Sequence, residues 1–456
     1  MIPRRRLALL AIAATLGWWV ATRAVDDDRV SALAAGAALT LALVVCLKFL
    51  QQSMLSPAVL YLGVFGLFHL GLVVPWALGL YDQPLAPWFL TNRLTPALAL
   101  VVLAIGFYLA GTLWTARPQT PVPAVYTNSL LFHSGVGIYL AGCVLFALGV
   151  RSFGGARFFD VGYSETYRLA AQFDPRMFGT SFTVVPIGLY LAAASFPLRR
   201  RRVVQAMTLA WTAGIFFLGF RGYALIPGLV ALALLRERGC RLPRWGAAAL
   251  VAVVLIAIPA ARAVRDAGVR QRTLEGISGR LHPLEGVAEM GGSLRPLVHT
   301  LRYLETESWR WGHTYWQSLQ VVIPNLAPRW QGAPYIPLEE LPPNHWLTAQ
   351  AEPGMYRQYG GLGFSAVAEP YMNFGTPGVA VYFLLLGALL GRAAGFRSGR
   401  PATLALWAMV LGPLLWTTRN SFEIFFRPAV WGLVTVWLLR LAEPMLRFSY
   451  ARAARQ

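Results

Sequence analysis

The chain has 456 residues, room for two or three soluble domains, yet 56% are hydrophobic, only 13% are charged, and the mean hydropathy is +0.52. A soluble protein carries roughly 25% charged residues, so most of this surface faces lipid rather than water. The net charge of +20 comes almost wholly from arginines scattered between apolar runs, which argues against a nucleic-acid-binding stripe and points to anionic headgroups and an anionic ligand.

The N-terminus, Arg4-Arg5-Arg6 followed by an apolar run to about Val20, has the form of a signal peptide with a small-residue site near Ala24. In so hydrophobic a chain it is expected to be an uncleaved first span. A hydrocarbon core of ~30 Å needs about 20 mostly apolar residues per helix. Spans are expected at 7–22, 30–47, 55–80, 95–115, 129–150, 179–198, 203–220, 222–235, 245–261, 374–391, 402–418 and 426–441. The expected fold is therefore all-α, a polytopic transmembrane helix bundle of about twelve spans. Helices 1–9 fall within 1–261, a large, partly helical loop within 262–372, and the C-terminal helices within 373–456. Cys46, Cys143 and Cys240 lie far apart, with no CxxC and no paired histidine spacing, so neither a disulfide framework nor a metal site is expected.

Orientation follows from the arginines of the short loops. With Arg4 to Arg6 inside, one alternation of sides places Lys48, Arg117, Arg199 to Arg202, Arg236, Arg392, Arg397 and Arg447 in the cytoplasm. Asp26 to Asp28, Asp82, Asp160, Glu165 and Asp174 then lie outside. Both termini are cytoplasmic in this scheme, and the loop of 262–372 is periplasmic. A loop of that length is usually functional or disordered, and its tryptophans favour a folded one on the membrane surface.

Four groups of residues are candidates for chemistry. Arg221 interrupts two apolar runs of 18 and 14 residues, at the tip of a hairpin that must go out and return. A charge costs on the order of 2.5–3.5 kcal/mol at a helix centre and marks a site by default. Snorkelling to the headgroups is the bland alternative. Arginine suits phosphate because its planar fork donates bidentate hydrogen bonds. Arg419, Glu423 and Arg427 follow i, i+4, i+8 spacing and share a face if their helix starts early. An interfacial salt-bridged cap is the alternative reading there. Arg262, Arg265, Arg270, Arg272 and Arg280 suggest an amphipathic basic helix, either lying on anionic lipid or clamping a polyanionic headgroup. Finally, His345 follows Pro343-Asn344, and Glu369 stands where a glycine-rich stretch gives way to the next span. A carboxylate at the head of an apolar helix suits general-base work, and His345 is an alternative base or orienter.

At these residues the chain resembles the bacterial O-antigen and oligosaccharide repeat-unit polymerases of the Wzy type. Four stretches carry the resemblance: Phe220-Arg221-Gly222, the segment ending in VVIPNLAPRW at 321–330, AEPYMNFGTPG at 368–378, and Arg419-Asn420-Ser421. The family often reads Ser-Arg-Gly where this chain has Phe-Arg-Gly. The resemblance implies an inverting, metal-independent glycosyltransferase with no cofactor, working at the periplasmic face of the bacterial inner membrane. The donor would be a growing glycan on undecaprenyl diphosphate, and the acceptor a lipid-linked repeat unit. Glu369, His345 and Arg221 would be catalytic. The arginines of the loop, with Arg419, Arg427, Tyr371 and Asn373, would hold substrate. Membrane lipids and a chain-length regulator are the implied partners, with no nucleic acid. An O-antigen ligase acting on lipid A-core, or a non-enzymatic glycan-lipid transporter, are the competing readings.

Overall fold

The computed structural model describes residues 4–81, 88, 89, 91–116, 127–152, 154, 155, 158, 175–218, 220–240, 284–322, 341–359, 361–393 and 400–453. All regular structure among them is helical, with no strand. The N-terminal half holds α1 (Arg4–Ala24), α2 (Asp28–Val44), α3 (Pro57–Leu70), α4 (Val73–Ala77), α5 (Leu94–Thr115) and α6 (Ser129–Ser152). These are followed by α7 (Pro175–Ser195), α8 (Arg201–Phe217) and α9 (Arg221–Glu237). Five short helices come next: α10 (Glu285–Met290), α11 (Leu294–Tyr303), α12 (His313–Gln320), α13 (Pro343–Ala351) and α14 (Pro353–Tyr359). The chain closes with α15 (Ala368–Arg392), α16 (Pro401–Thr417) and α17 (Glu423–Ala453).

Among the described residues, six helices are long and apolar enough to cross a membrane: Arg4–Ala24, Asp28–Phe49, Leu94–Thr115, Ser129–Ser152, Ala368–Arg392 and Glu423–Pro444. Shorter apolar helices, including Pro57–Leu70 and Pro401–Thr417, pack among them. The expected span at 245–261 lies outside the described residues. The run expected at 55–80 is not one helix. It breaks after Leu70, where Pro75 has no N–H for the Gly71 carbonyl, and Gly71 itself admits a distant segment, since a Cβ there would lie 2.6 Å from the Val287 carbonyl. The span expected at 374–391 starts earlier, at Ala368, and is kinked at Gly375 (φ 66°, ψ −156°), a conformation nearly confined to glycine.

The centre of the bundle is α5, with 16 of its 22 residues buried. A helix apolar all round belongs in such a position. It meets α15 backbone to backbone: a Cβ on Gly111 would lie 2.1 Å from the Leu384 carbonyl, and one on Gly387 2.0 Å from that of Tyr108. Thr112 and Thr115 cross the seam, donating to the Gly387 and Ala388 carbonyls at 3.2 and 2.7 Å. Small residues with hydroxyl bridges are the means by which helices associate where no hydrophobic drive separates protein from lipid. A similar seam joins α6 to α7. The outward faces carry exposed apolar side chains, among them Leu140 and Val144 on α6, Leu385 on α15 and Leu438 on α17.

The helix ends sort into two levels. Arg4 bonds the Ala116 carbonyl, Asn128 donates to Glu443 at 3.1 Å, and Arg238 to the Phe196 carbonyl at 2.6 Å, which gathers one set of ends. At the other level Thr95 donates to Asp28 at 2.8 Å and Arg93 pairs with Glu305. The heads of α9, α15 and α17 and the helices of 284–359 gather at this second level.

Candidate functional site

A cavity of about 290 Å³ opens there between α7, α9, α16 and α17. Each of those helices contributes an internal proline to its wall: Pro186, Pro227, Pro413 and Pro428. Proline lacks the N–H of the helix ladder and displaces the turn before it, so four prolines facing one space hold their helices apart. The carbonyl that Pro227 leaves without its helical partner, that of Tyr223, accepts the Trp211 indole N–H at 3.0 Å. Freed backbone groups at membrane depth need such replacements.

One wall of the cavity is aromatic. Tyr223 stacks on Phe182 with ring centroids 4.1 Å apart and lies 4.6 Å from Trp416. The rest of the lining is in good part polar, with Asn344, His345, Asn420, Ser421, Glu423 and Arg427. His345 comes from α13, which the Ser421 hydroxyl ties to α17 through Asn344 at 3.3 Å. Glu423 stands in the electrostatic reach of both His345 and Arg427. Arg427 Nε donates to the Val321 carbonyl at 2.8 Å, which fixes the guanidinium at the cavity edge. Glu423 and Arg427 share the first turns of α17. Arg419 does not join that face, because the helix starts at Glu423 and Arg419 lies in the preceding turn.

Arg419 and Arg221 meet elsewhere. Arg221 is 6% exposed and pairs with Glu289 at 2.7 Å. Arg419 lies over the Phe68 ring at 5.6 Å and reaches the sulfur of Met290, the next residue, at 4.0 Å. The two arginines thus converge on one short helix, α10. Gly222 follows Arg221 because the Trp416 ring packs on it: a Cβ there would lie 2.3 Å from that ring.

Glu369 does not line the cavity. It is 2% exposed, and both oxygens accept hydrogen bonds, Oε1 from the Thr314 hydroxyl at 3.0 Å and Oε2 from the Phe422 N–H at 2.7 Å. Asn373, one turn on, donates to Thr314 at 2.7 Å and accepts from Gly312 N–H at 2.8 Å. Tyr371 packs edge-on against Trp309. The head of α15 is set by Ser365, whose hydroxyl accepts the N–H groups of Val367 and Ala368 and lies 2.8 Å from His69 Nε2. His69 Nδ1 faces the Phe65 carbonyl, so that nitrogen carries the proton and Nε2 accepts from Ser365. The glycine-rich approach has its own reason: Gly363 (φ 76°) lets the chain pass beside Arg419, whose carbonyl accepts the Phe364 N–H at 2.6 Å.

Two further clusters escaped the sequence reading. Arg310 lies 4.5 Å over the Trp346 ring and donates to the Tyr303 hydroxyl at 3.0 Å. Glu352 pairs with Arg295 and with His299 Nε2 at 2.7 Å, fastening α11 to the α13–α14 corner. Burial opposes the Glu352 charge, but His299 and Arg295 outweigh it and hold its carboxyl below the usual carboxylate range. Arg262, Arg265, Arg270, Arg272 and Arg280 lie outside the described residues. Among the described residues no three His, Cys, Asp or Glu side chains are grouped as metal ligands.

A family model described as O-antigen polysaccharide polymerase Wzy matches residues 10–443. The chain belongs to that family. Its helical, lipid-facing bundle is that of a multi-pass membrane protein, as expected of a Wzy-type chain. A curated relative, Protein CapE of Staphylococcus aureus, is 26% identical over 218 residues, 47% of this chain. The match spans 45% of that relative's length. No solved structure matches this Wzy-family chain.

Proposed function

We propose that this chain is a polysaccharide polymerase. It transfers a growing glycan from undecaprenyl diphosphate to the non-reducing end of a lipid-linked repeat unit, at the periplasmic face of the inner membrane. The observation that carries the reading is the cavity that combines His345, Glu423 and Arg427 with an aromatic wall, in a chain of the Wzy family. The acceptor hydroxyl attacks the donor's anomeric carbon, the carbon–oxygen bond to diphosphate breaks, and the hydroxyl proton passes to His345. Direct displacement of this kind inverts the anomeric carbon. Arg427 meets the charge that develops on the leaving diphosphate, where a fixed cation in a water-poor site is worth most. Tyr223 and Trp416 offer ring faces to sugar.

Glu369 takes a positioning role in this scheme, because both its oxygens hold the framework that presents Phe422 and the α17 turn. Arg419, beside the Arg221–Glu289 pair over α10, is a second cation suited to the diphosphate of the other lipid-linked substrate, with Arg221 holding that corner in place. The loop arginines Arg262, Arg265, Arg270, Arg272 and Arg280 would add headgroup attraction, and a chain-length regulator would act beside the chain.

The deciding experiment supplies the purified chain, in proteoliposomes, with lipid-linked repeat unit alone. A ladder of longer lipid-linked glycans is expected. No product until lipid A-core is added would instead make the chain a ligase. Substrate moved across the bilayer but chemically unchanged would make it a transporter.

A further inference from the structure

Ile187 lines the polar cavity and also a second one of about 310 Å³, walled by Ile138, Val184, Trp431, Val434 and Thr435. The second cavity is apolar in effect. Its few polar groups are engaged with backbone: the Thr435 hydroxyl donates to the Trp431 carbonyl at 2.7 Å, and the Trp431 indole N–H to that of Val322 at 3.1 Å. It also reaches the outside of the bundle. Val434 is 46% exposed, and the exposed Leu140, Val144, Trp437 and Leu438 continue the same two helices outward. A groove of this kind between α6, α7 and α17 faces lipid hydrocarbon rather than water.

The two cavities thus present opposite chemistries on either side of one side chain. Arg427 and His345 stand at the polar end, and hydrocarbon side chains at the other. Along α17 the change takes one helical turn, from Arg427 and Pro428 to Trp431. We propose that the groove receives the first isoprene units of a polyprenyl diphosphate whose diphosphate stands in the polar cavity at Arg427. The choice of a prenyl diphosphate over a phospholipid rests on the polymerase reading. The groove itself rests on the continuity through Ile187. The glycines that join α6 to α7 without side chains between them fix one edge, since a Cβ on Gly188 would lie 2.3 Å from the Tyr139 nitrogen. The groove is therefore a standing feature of the bundle and needs no helix to move aside.

The test is photolabelling of the full chain in nanodiscs with a farnesyl diphosphate analogue that carries a diazirine on its terminal isoprene. Cross-links are expected on peptides containing Ile138, Val184 and Val434, suppressed by excess undecaprenyl diphosphate and unaffected by added phospholipid. Thr435→Trp, which fills the groove, should lower the labelling about tenfold, as loss of one or two buried methylene-sized contacts predicts. Val184→Phe should do the same from the opposite wall, so that misfolding of either variant alone does not decide the matter. Leu385→Trp, on the outer face of α15 and away from the groove, should leave labelling unchanged. Labels spread evenly over the lipid-facing helices, competition by phospholipid, or full labelling in both filled variants would overturn the proposal. If the labelling follows expectation but the chain builds no glycan ladder, the polymerase reading fails and the groove stands. A ladder with labelling elsewhere refutes the groove alone.

Discussion

The carboxylate of Glu369 accepts the backbone N–H of Phe422 at 2.7 Å, joining the head of α15 to the turn between Arg419 and Glu423. A carboxylate spent in this way on a peptide group holds two elements in register. It also yields a discriminating substitution. A glutamine can turn its carbonyl to Phe422 and its amide to the Thr314 hydroxyl, which has a second lone pair to accept it. Glu369→Gln is therefore expected to keep both its fold and most of its chain extension. Glu369→Leu strands the Phe422 N–H and should destabilise by about 1–3 kcal/mol. Thermal unfolding followed beside polymerisation separates the roles, and an inactive but fully stable glutamine variant would return Glu369 to the place of general base.

His345 lines the cavity and has Glu423 beside it. Replacing it by alanine removes the proton acceptor and should lower the rate of chain extension by roughly 10²–10⁴-fold. Retention of lipid-linked substrate, measured by co-purification, should change little. A variant with near wild-type turnover would exclude the histidine from the proton transfer.

Arg427 does two things at once, since its Nε holds the Val321 carbonyl while the rest of the guanidinium borders the cavity. Lysine has charge but no fork, so it serves one of these partners and not both. Arg427→Lys is expected to lose on the order of 10²-fold in kcat. Equal turnover by the two side chains would show that only net charge matters there.

Glu352 should give acid sensitivity to the loop. Its folded pKa lies below its ordinary value of 4.5, so its pairing with Arg295 and His299 stabilises the fold above that value and is lost as pH falls through the lowered one. Melting temperature, followed from about pH 6 down to about pH 3, should fall more steeply for the wild type than for Glu352→Gln, which carries no titrating group there. Parallel curves would show that the cluster contributes nothing to acid stability.

How far these features could be read in advance depends on whether their cause is local. The all-helical bundle follows from apolar runs about 20 residues long, and the outward-and-back hairpin at Arg221 from a single charge between two of them. The break at Gly71 was legible in part, since Pro75 has no N–H for the Gly71 carbonyl, whereas the backbone near Val287 and Gly291 that presses in there lies more than two hundred residues away. Arg427 and His345 were both legible as candidates by residue type. Their meeting was not, since α13 reaches the cavity through side-chain bonds such as that of Ser421 to Asn344. The four prolines were visible in the apolar runs. That they face one another became apparent only once four helices were placed around the same space.

Three joints around the site are made by peptide groups on both sides: Phe364 N–H to the Arg419 carbonyl, Arg310 N–H to that of Met372, and Trp311 N–H to that of Asn373. Every amino acid carries that donor and acceptor, so these joints are indifferent to which residue occupies them. At such joints the neighbouring rings and hydroxyls can change while the local backbone geometry persists. Chains that must each match a different sugar sequence would diversify by this route, with the lattice of main-chain ties inherited intact beneath a changing vocabulary of side chains.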